Sequence, residues 1–204
     1  TEDPPSYLAW HQTLTAAVGR HPEARFAVIT GDLTDEGMTY LHWHNWFAAA
    51  GEILARLPFL PLVGNHDCVG ALPDPDARRP SYRTPSYLLR QFPVFGNGPD
   101  GLIGQAWSFD CGDIHITALN SELAYSDPGV VRKQVEWLEK DLGSTDRRWK
   151  IVFFHRTAYH SRPNRTELMV RRQFCPVLEK HHVDVVFNGH DHTLARTYPM
   201  RNGR

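Results

Sequence analysis

The sequence has few cysteines and no long apolar run, and each shortage excludes a class of protein. Only three of its 204 residues are cysteine, and Cys68, Cys111 and Cys175 lie far apart without a Cys-x-x-Cys pair. An odd number of widely spaced cysteines gives neither a disulfide framework nor a zinc knuckle. No apolar stretch approaches the roughly 20 residues that a membrane-spanning helix needs, so we expect no membrane segment.

The chain also has almost no net charge. The formal net charge is -1, with 41% apolar and 22% charged residues. This balance is ordinary for a globular protein and argues against bulk nucleic-acid binding, which needs a basic surface. The absence of a His-Glu-x-x-His motif disfavours a zinc metalloprotease. The length predicts one domain spanning residues 1–204, and composition leaves the oligomeric state undetermined.

Four short apolar runs each stop at residues that bind metals. Runs of this kind, rich in Val, Ile and Phe and bounded by glycine or polar residues, are typical of buried strands. They are residues 26–30 before Gly31-Asp32, 59–63 before Gly64-Asn65-His66-Asp67, 149–154 before His155, and 183–187 before Asn188-Gly189-His190-Asp191-His192. Ligands bind beyond the carboxyl ends of strands in open α/β sheets, so these ends are expected to meet. Carboxylate, amide and imidazole groups are suitable ligands for a divalent transition metal.

Helices and turns are predicted between these runs. Apolar residues at helical spacing predict helices over 6–20, 39–57, 130–142 and 164–180, with a shorter one over 86–91. A hairpin is predicted from 107–111 and 114–119 around Gly112-Asp113. The segment from Cys68 to Gln105 is long for a connection and begins at a metal motif, so we expect it to form part of a substrate wall. Its arginines, as a group, are candidates for gripping a phosphate: Arg78, Arg79, Arg83 and Arg90.

The ordered motifs Gly-Asp, Gly-Asn-His-Asp, His and Gly-His-x-His resemble those of the calcineurin-like metallophosphoesterases. The continuation through Arg196-Thr197 to Pro199 is closest to the purple acid phosphatase-like branch, although Leu194 stands where that branch has an aromatic residue. The resemblance implies an α/β fold, a four-layered α/β/β/α sandwich with a two-metal site at the strand ends. The family's opening motif and its last strands are not found in the sequence. We therefore expect a domain truncated at both ends.

The resemblance also implies a role for each motif residue. It assigns the bridge between two metals to Asp32, the second metal to Asn65, His155 and His190, and the first metal to His192. His66 would face the substrate phosphate, and Asp67 would orient His66 through a hydrogen bond. In true purple enzymes the third residue after the bridging aspartate is a metal-binding tyrosine. That position is Asp35 here, for which we favour an ordinary role at the start of a loop.

The implied activity is phosphoester hydrolysis at two divalent transition metals, with manganese, iron and zinc all plausible. A hydroxide shared by the two metals would attack phosphorus. A phosphomonoester is the favoured small-molecule substrate. A phosphodiesterase acting on cyclic nucleotides, nucleic acid or lipid head groups is the alternative, and a scaffold without catalysis is a weaker one. The resemblance slightly favours a secreted or periplasmic protein, with a cytoplasmic location still open.

Overall fold

The computed structural model describes residues 6–69, 84–122, 128–160 and 168–203. The strands are β1 (Ala27–Ile29), β2 (Phe59–Pro61), β3 (Trp107–Cys111), β4 (Ile114–Leu119), β5 (Trp149–Phe154) and β6 (Val185–Phe187). The helices are α1 (Leu8–Arg20), α2 (Tyr40–Ala50), α3 (Ser86–Gln91), α4 (Pro128–Ser144), α5 (Leu168–Gln173) and α6 (Cys175–Lys180). None of the described helices is long and apolar enough to cross a bilayer.

The strands form two sheets. β1 and β2 pair in parallel, with Ala27 opposite Phe59 and Ile29 opposite Pro61. The second sheet has the order β3-β4-β5-β6, in which only the β3–β4 hairpin is antiparallel. Parallel neighbours put the carboxyl ends of β1 and β2 at one edge of their sheet, and those of β4, β5 and β6 at one edge of theirs.

Three apolar clusters separate the layers. Between the sheets, Leu62 and Val28 from the first sheet pack with Trp107, Ile116 and Phe153 from the second. Outside the first sheet lie helices α1, α2 and α3, whose cluster includes Trp10, Trp43, Trp46, Phe59, Leu88 and Phe92. Outside the second sheet lie α4, α5 and α6, whose cluster includes Leu119, Leu138, Leu142, Phe154, Phe174 and Leu178. The four-layered α/β/β/α sandwich is therefore confirmed.

Two predicted helices are shorter than expected. The helix over 39–57 ends at Ala50, because Gly51 has φ 54°, and a single 3-10 turn follows. The described part of the helix predicted over 164–180 is divided into α5 and α6. Pro176 is the second residue of α6 and has no N–H to continue a helical ladder from α5. The predicted start of that helix lies outside the described residues.

All four apolar runs contain strands, but the prediction that all are buried is wrong: the run over 59–63 is largely buried, those over 26–30 and 149–154 are partly buried, and the last is largely exposed. Among the described strands, β6 pairs with β5 alone and lies at the edge of the sheet, where Val185 is 43% and Phe187 48% exposed. Phe187 stacks on Phe153 with ring centroids 5.2 Å apart. An edge strand has one neighbouring strand, whereas a central strand has two. Its apolar sequence therefore does not ensure its burial.

A polar cluster joins α4 to the β3–β4 hairpin. His115 of β4 contacts two carboxylates, with Nδ1 2.8 Å from Oδ1 of Asp110 and Nε2 3.0 Å from Oδ2 of Asp141. Asp141 lies on α4 and also accepts hydrogen bonds from the hydroxyls of Thr117 and Ser108. An imidazole donates through both nitrogens only when it is protonated. This cluster is therefore held together by a cationic His115.

Candidate metal centre

Four side chains converge beyond the carboxyl ends of the strands. Nε2 of His155 lies 3.0 Å from Oδ2 of Asp32, 3.1 Å from Oδ1 of Asn65 and 3.2 Å from Nδ1 of His190. Asp32, His155 and His190 form a group whose ligand atoms all lie within 4.8 Å of one another. Asp32 and Asn65 follow the first sheet, whereas His155 and His190 follow the second. The structure thus brings these four predicted residues together, and their binding of metal stays a prediction.

The hydrogen bonds around His155 favour a cation at this point. Nδ1 of His155 donates to the backbone carbonyl of Thr30 at 2.7 Å. In a neutral ring this leaves Nε2 with a lone pair, which faces the oxygens of Asp32 and Asn65. Electron-rich atoms in contact repel one another unless a proton or a metal ion lies among them. The donor set of one carboxylate, one amide and two imidazoles fits a divalent transition metal.

The pKa shifts of Asp32 and His155 also favour a positive charge at this centre. Burial opposes the ionisation of Asp32, but His155 and the backbone N–H of His66 outweigh it and hold the pKa of Asp32 below its usual value. Burial likewise opposes the protonation of His155, but Asp32 raises the pKa of this ring above its usual value. Asp32 thus retains its negative charge at the place where a metal would bind.

Three predicted ligands have left-handed backbones. The φ angle is 54° at Asp32, 68° at His190 and 50° at His192. Such conformations are uncommon outside glycine and persist where the surroundings enforce them, often at functional sites. Gly189 donates its N–H to the carbonyl of His155, and Asn188 donates its side-chain amide to the carbonyl of Phe154. These bonds fix the loop after β6 against the end of β5.

Glycines allow the ligand loops to approach closely. A Cβ at Gly64 would overlap the carboxylate and backbone nitrogen of Asp32, and a Cβ at Gly31 would lie 2.7 Å from Nδ1 of His155. Both glycines belong to the motifs read from the sequence. They are needed there because a larger residue at Gly64 would push apart the loops after β1 and β2, and one at Gly31 would push apart the loops after β1 and β5.

His66 lies beside the centre with Asp35 as its partner. Nδ1 of His66 donates to the backbone carbonyl of Asp35 at 2.8 Å, and the carboxylate Oδ1 of Asp35 lies 3.1 Å away. The His66 side chain is 40% exposed, so a substrate can reach it. The interpretation of Asp35 as an ordinary loop acid missed this pairing. Its position three residues after Asp32, facing a histidine motif, was the available signal.

The predicted hydrogen bond between Asp67 and His66 is wrong. Asp67 is fully buried, and its carboxylate accepts from backbone N–H groups instead: Asp32 at 2.9 Å, Leu33 at 3.0 Å, Thr34 at 3.5 Å and Gly64 at 2.8 Å. Burial raises the pKa of Asp67 to about 7, while these N–H donors, led by Gly64, favour its ionised form. Since its oxygens are turned to the backbone, Asp67 does not orient His66.

A buried ion pair near His190 was also missed. Nε of Arg156 donates to Oε2 of Glu122 at 2.8 Å, and both residues are buried. Nη1 of Arg156 lies 3.3 Å from Nε2 of His190. Arg156 directly follows His155, which was the one sequence signal for it. Glu122 follows β4 and belongs to none of the recognised motifs.

Some predicted residues lie apart from this group. His192 is exposed and is not part of the ligand group, so its binding of the first metal stays a prediction. Arg78, Arg79 and Arg83 lie outside the described residues.

Cys68 is fully buried next to Asp67. Burial, together with the charge of Asp67, raises the pKa of its thiol far above the usual range.

Comparison with known proteins relates this centre to phosphoesterases. An uncharacterised protein of Mycobacterium tuberculosis, Rv2577, is 29% identical over 194 residues, which cover 86% of this chain and 35% of that protein. Purple acid phosphatase 15 of Arabidopsis thaliana is 26% identical over 166 residues, which cover 78% of this chain and 29% of that protein. The chain thus spans about a third of the length of these relatives.

The fold is also similar to that of a purple acid phosphatase. The purple acid phosphatase PPD1 of yellow lupin (Lupinus luteus) superimposes with a TM-score of 0.64 at 20% identity, covering 93% of this chain and 34% of that one. The family model described as calcineurin-like phosphoesterase matches residues 7–194, which include every strand and every predicted ligand. The chain therefore belongs to the calcineurin-like phosphoesterase family, with purple acid phosphatases among its relatives.

Proposed function

We propose that this protein hydrolyses phosphomonoesters with the help of two divalent transition metals, manganese, iron or zinc. The observation that carries the proposal is the convergence of Asp32, Asn65, His155 and His190 on one point, with the reachable ring of His66 beside it. The names of several relatives, such as purple acid phosphatase 15, support a phosphatase rather than a binding protein. A net charge near zero suits a small substrate better than a long polyanion.

The ligand residues would hold the cations and so position the substrate. Asp32 would bridge the two metals, Asn65, His155 and His190 would complete the second metal, and His192 would contribute to the first. When bound, the cations supply Lewis acidity toward the phosphoryl oxygens and lower the pKa of water. The chain itself supplies the geometry of this site.

His66 would hold and release a proton at the leaving-group oxygen. The carbonyl of Asp35 fixes the ring proton on Nδ1, so Nε2 is the nitrogen turned to a substrate. The carboxylate of Asp35 lies beside the ring and compensates the positive charge that His66 carries before it donates. This proton prevents the leaving group from departing as an unprotonated alkoxide.

The test is a panel of aryl phosphate monoesters and diesters, assayed after chelation and after the return of Mn²⁺, Zn²⁺ or Fe²⁺. We expect hydrolysis that requires metal and is faster with the monoesters. Asp32→Asn, which weakens the shared bridge, serves as the negative control. Faster hydrolysis of the diesters would reverse the substrate preference. Metal binding without hydrolysis of any ester would contradict the proposed activity.

A further inference from the structure

We propose that Asp67 is a positioning residue that clamps together the two loops carrying Asp32 and Asn65. The inference rests on the metal centre of the proposed function and assigns Asp67 a task other than orienting His66. The clamp consists of one buried carboxylate and four backbone N–H groups from two separate loops. It would determine how tightly the metal binds and would leave the chemical step to other residues.

The geometry of the clamp is nearly complete around the carboxylate. Oδ2 accepts from Asp32 at 2.9 Å and from Gly64 at 2.8 Å, and these two donors lie on different loops. Oδ1 accepts from Leu33 at 3.0 Å and from Thr34 at 3.5 Å. The carboxylate is closed off from bulk solvent, because Asp67 is 0% exposed. A buried charge is tolerated only where hydrogen bonds replace its hydration, as they do here.

The clamp also explains how Asp32 remains in a strained conformation. Asp32 has φ 54°, an unfavourable conformation that persists only where its surroundings enforce it. Three successive N–H groups, from Asp32 to Thr34, turn toward one carboxylate and so enforce this curvature. The second loop is tied in turn to the ligand, since His66 N–H donates to Oδ1 of Asp32 at 2.8 Å. Both ligand loops are therefore fixed relative to each other before a metal binds.

Replacing Asp67 is expected to cause one kinetic defect if Asp67 is a clamp and a different one if it is the partner of His66. Loss of the clamp loosens the ligands, so metal affinity falls while saturating metal restores turnover. Loss of the partner of His66 leaves metal affinity unchanged and lowers kcat, most strongly for esters with poor leaving groups. Asp35→Asn is the matched variant for the second defect, because Asp35 is the residue that contacts His66.

The experiment compares wild type, Asp67→Asn and Asp35→Asn. Mn²⁺ affinity is measured by calorimetry, and kcat is measured at saturating Mn²⁺ with aryl phosphates of graded leaving-group pKa. An asparagine retains one acceptor oxygen and turns an NH₂ group toward backbone donors. We expect Asp67→Asn to weaken Mn²⁺ binding by about 10–100-fold, as losses of supporting contacts typically do. We expect most of its kcat to return at saturating Mn²⁺, without extra sensitivity to the leaving group.

Two results would overturn the clamp. One is unchanged Mn²⁺ affinity in Asp67→Asn, even if its melting temperature falls, because that marks an ordinary buried contact. The other is a kcat loss at saturating Mn²⁺ that grows with leaving-group pKa, as expected for Asp35→Asn. If Asp67→Asn fails to fold, hydrogen exchange in the wild type decides. In the metal-free protein, exchange of the Asp32, Leu33 and Gly64 amides as slow as that of the core strands supports loops that are fixed before a metal binds, and exchange as fast as in exposed loops contradicts the clamp.

The failure of the proposed function gives a different pattern. In that case the wild type hydrolyses no phosphoester, while the loss of Mn²⁺ affinity in Asp67→Asn remains measurable. Glu139→Gln is the control for a general loss of carboxylate charge. Glu139 pairs with Lys180 at the end of α6 and with His181 directly after it, and its replacement should leave Mn²⁺ affinity unchanged.

Discussion

At the scale of single residues, the centre depends on which atom of each side chain is committed to the protein and which is left for the substrate. His155 and His66 both donate Nδ1–H to a backbone carbonyl, of Thr30 and Asp35 respectively. The Nε2 of His155 then faces the ligand groups of Asp32, Asn65 and His190, and the Nε2 of His66 is left for another partner. The two rings differ in burial, since His155 is 1% and His66 40% exposed. Burial suits a permanent ligand, and exposure suits a group that exchanges protons with a substrate.

We expect His66→Ala to retain its metals and lose turnover by about 10²–10⁴-fold, the usual range for removal of a general acid or base. The loss should shrink with aryl esters whose leaving groups need no proton. Metal content is measured by elemental analysis alongside kcat. Loss of metal from His66→Ala would mean that the residue is a ligand after all.

Gly64 is expected to tolerate no side chain. Gly64→Ala should abolish metal binding, because the added Cβ would occupy the space of the Asp32 carboxylate and backbone nitrogen. Gly19→Ala is the matched control, since a Cβ there meets nothing within 4 Å and Gly19 lies in helix α1. The control should gain about 0.5–1 kcal/mol of stability from helix propensity. Metal-dependent melting curves of both variants test this, and normal metal binding by Gly64→Ala would contradict the packing described.

At the scale of elements, α4 is held to the second sheet by groups that respond to pH. Burial opposes the protonation of His115, but Asp141 of α4 and Asp110 of β3 outweigh it and raise the pKa of His115 above its usual value. Two further cations lie nearby. Arg147 contacts Asp110 at 2.9 Å, and Lys150, opposite His115 on β5, donates to backbone carbonyls instead.

The sign of the pH dependence follows from the raised pKa. The cluster stabilises the fold fully below the unfolded-state value of about 6.5 and loses that stabilisation as pH rises through the folded-state value. We therefore expect the free energy of unfolding of the wild type to fall between pH 6 and pH 9 more than that of His115→Gln. His44→Gln, at an exposed position on α2, should behave like the wild type. Denaturant titrations across this range are the measurement, and parallel profiles for wild type and His115→Gln would contradict it.

Elements whose patterns are local were predicted well. The β3–β4 hairpin and β5 have the predicted limits, because Gly112 has φ 57° at the turn and β-branched and aromatic residues fill the strands. The meeting of Asp32 with His155 crosses between the two sheets, and it was the family resemblance that predicted it. The partners of Asp67 were not, because they are backbone N–H groups, which every sequence contains. Nor did the sequence alone distinguish β6 as an edge strand, since its burial depends on neighbours rather than on its own residues.

At the scale of the whole molecule, the centre joins the two sheets. Two ligands follow the first sheet and two follow the second, so a bound metal would connect layers that otherwise meet through the apolar cluster between them. A ligand that binds only the folded state stabilises it by about 2.7 kcal/mol at a hundred times its Kd. We expect Mn²⁺ or Zn²⁺ to raise the melting temperature and to sharpen the transition. Asn65→Ala should reduce both effects, and an unchanged melting temperature in the wild type would contradict a shared centre.

The placement of aromatic residues has a spectroscopic consequence. Trp10, Trp43 and Trp46 lie together outside the first sheet, and the rings of Trp10 and Trp46 are 4.7 Å apart. Indoles at this separation exchange excitation and dominate near-ultraviolet circular dichroism. The helices outside the second sheet contribute a single indole, that of Trp137. The near-ultraviolet signal will therefore follow the melting of the half of the molecule that carries Asp32 and Asn65. The half that carries His155 can be followed by the fluorescence of Trp137. For that measurement the other five tryptophans are replaced with Phe.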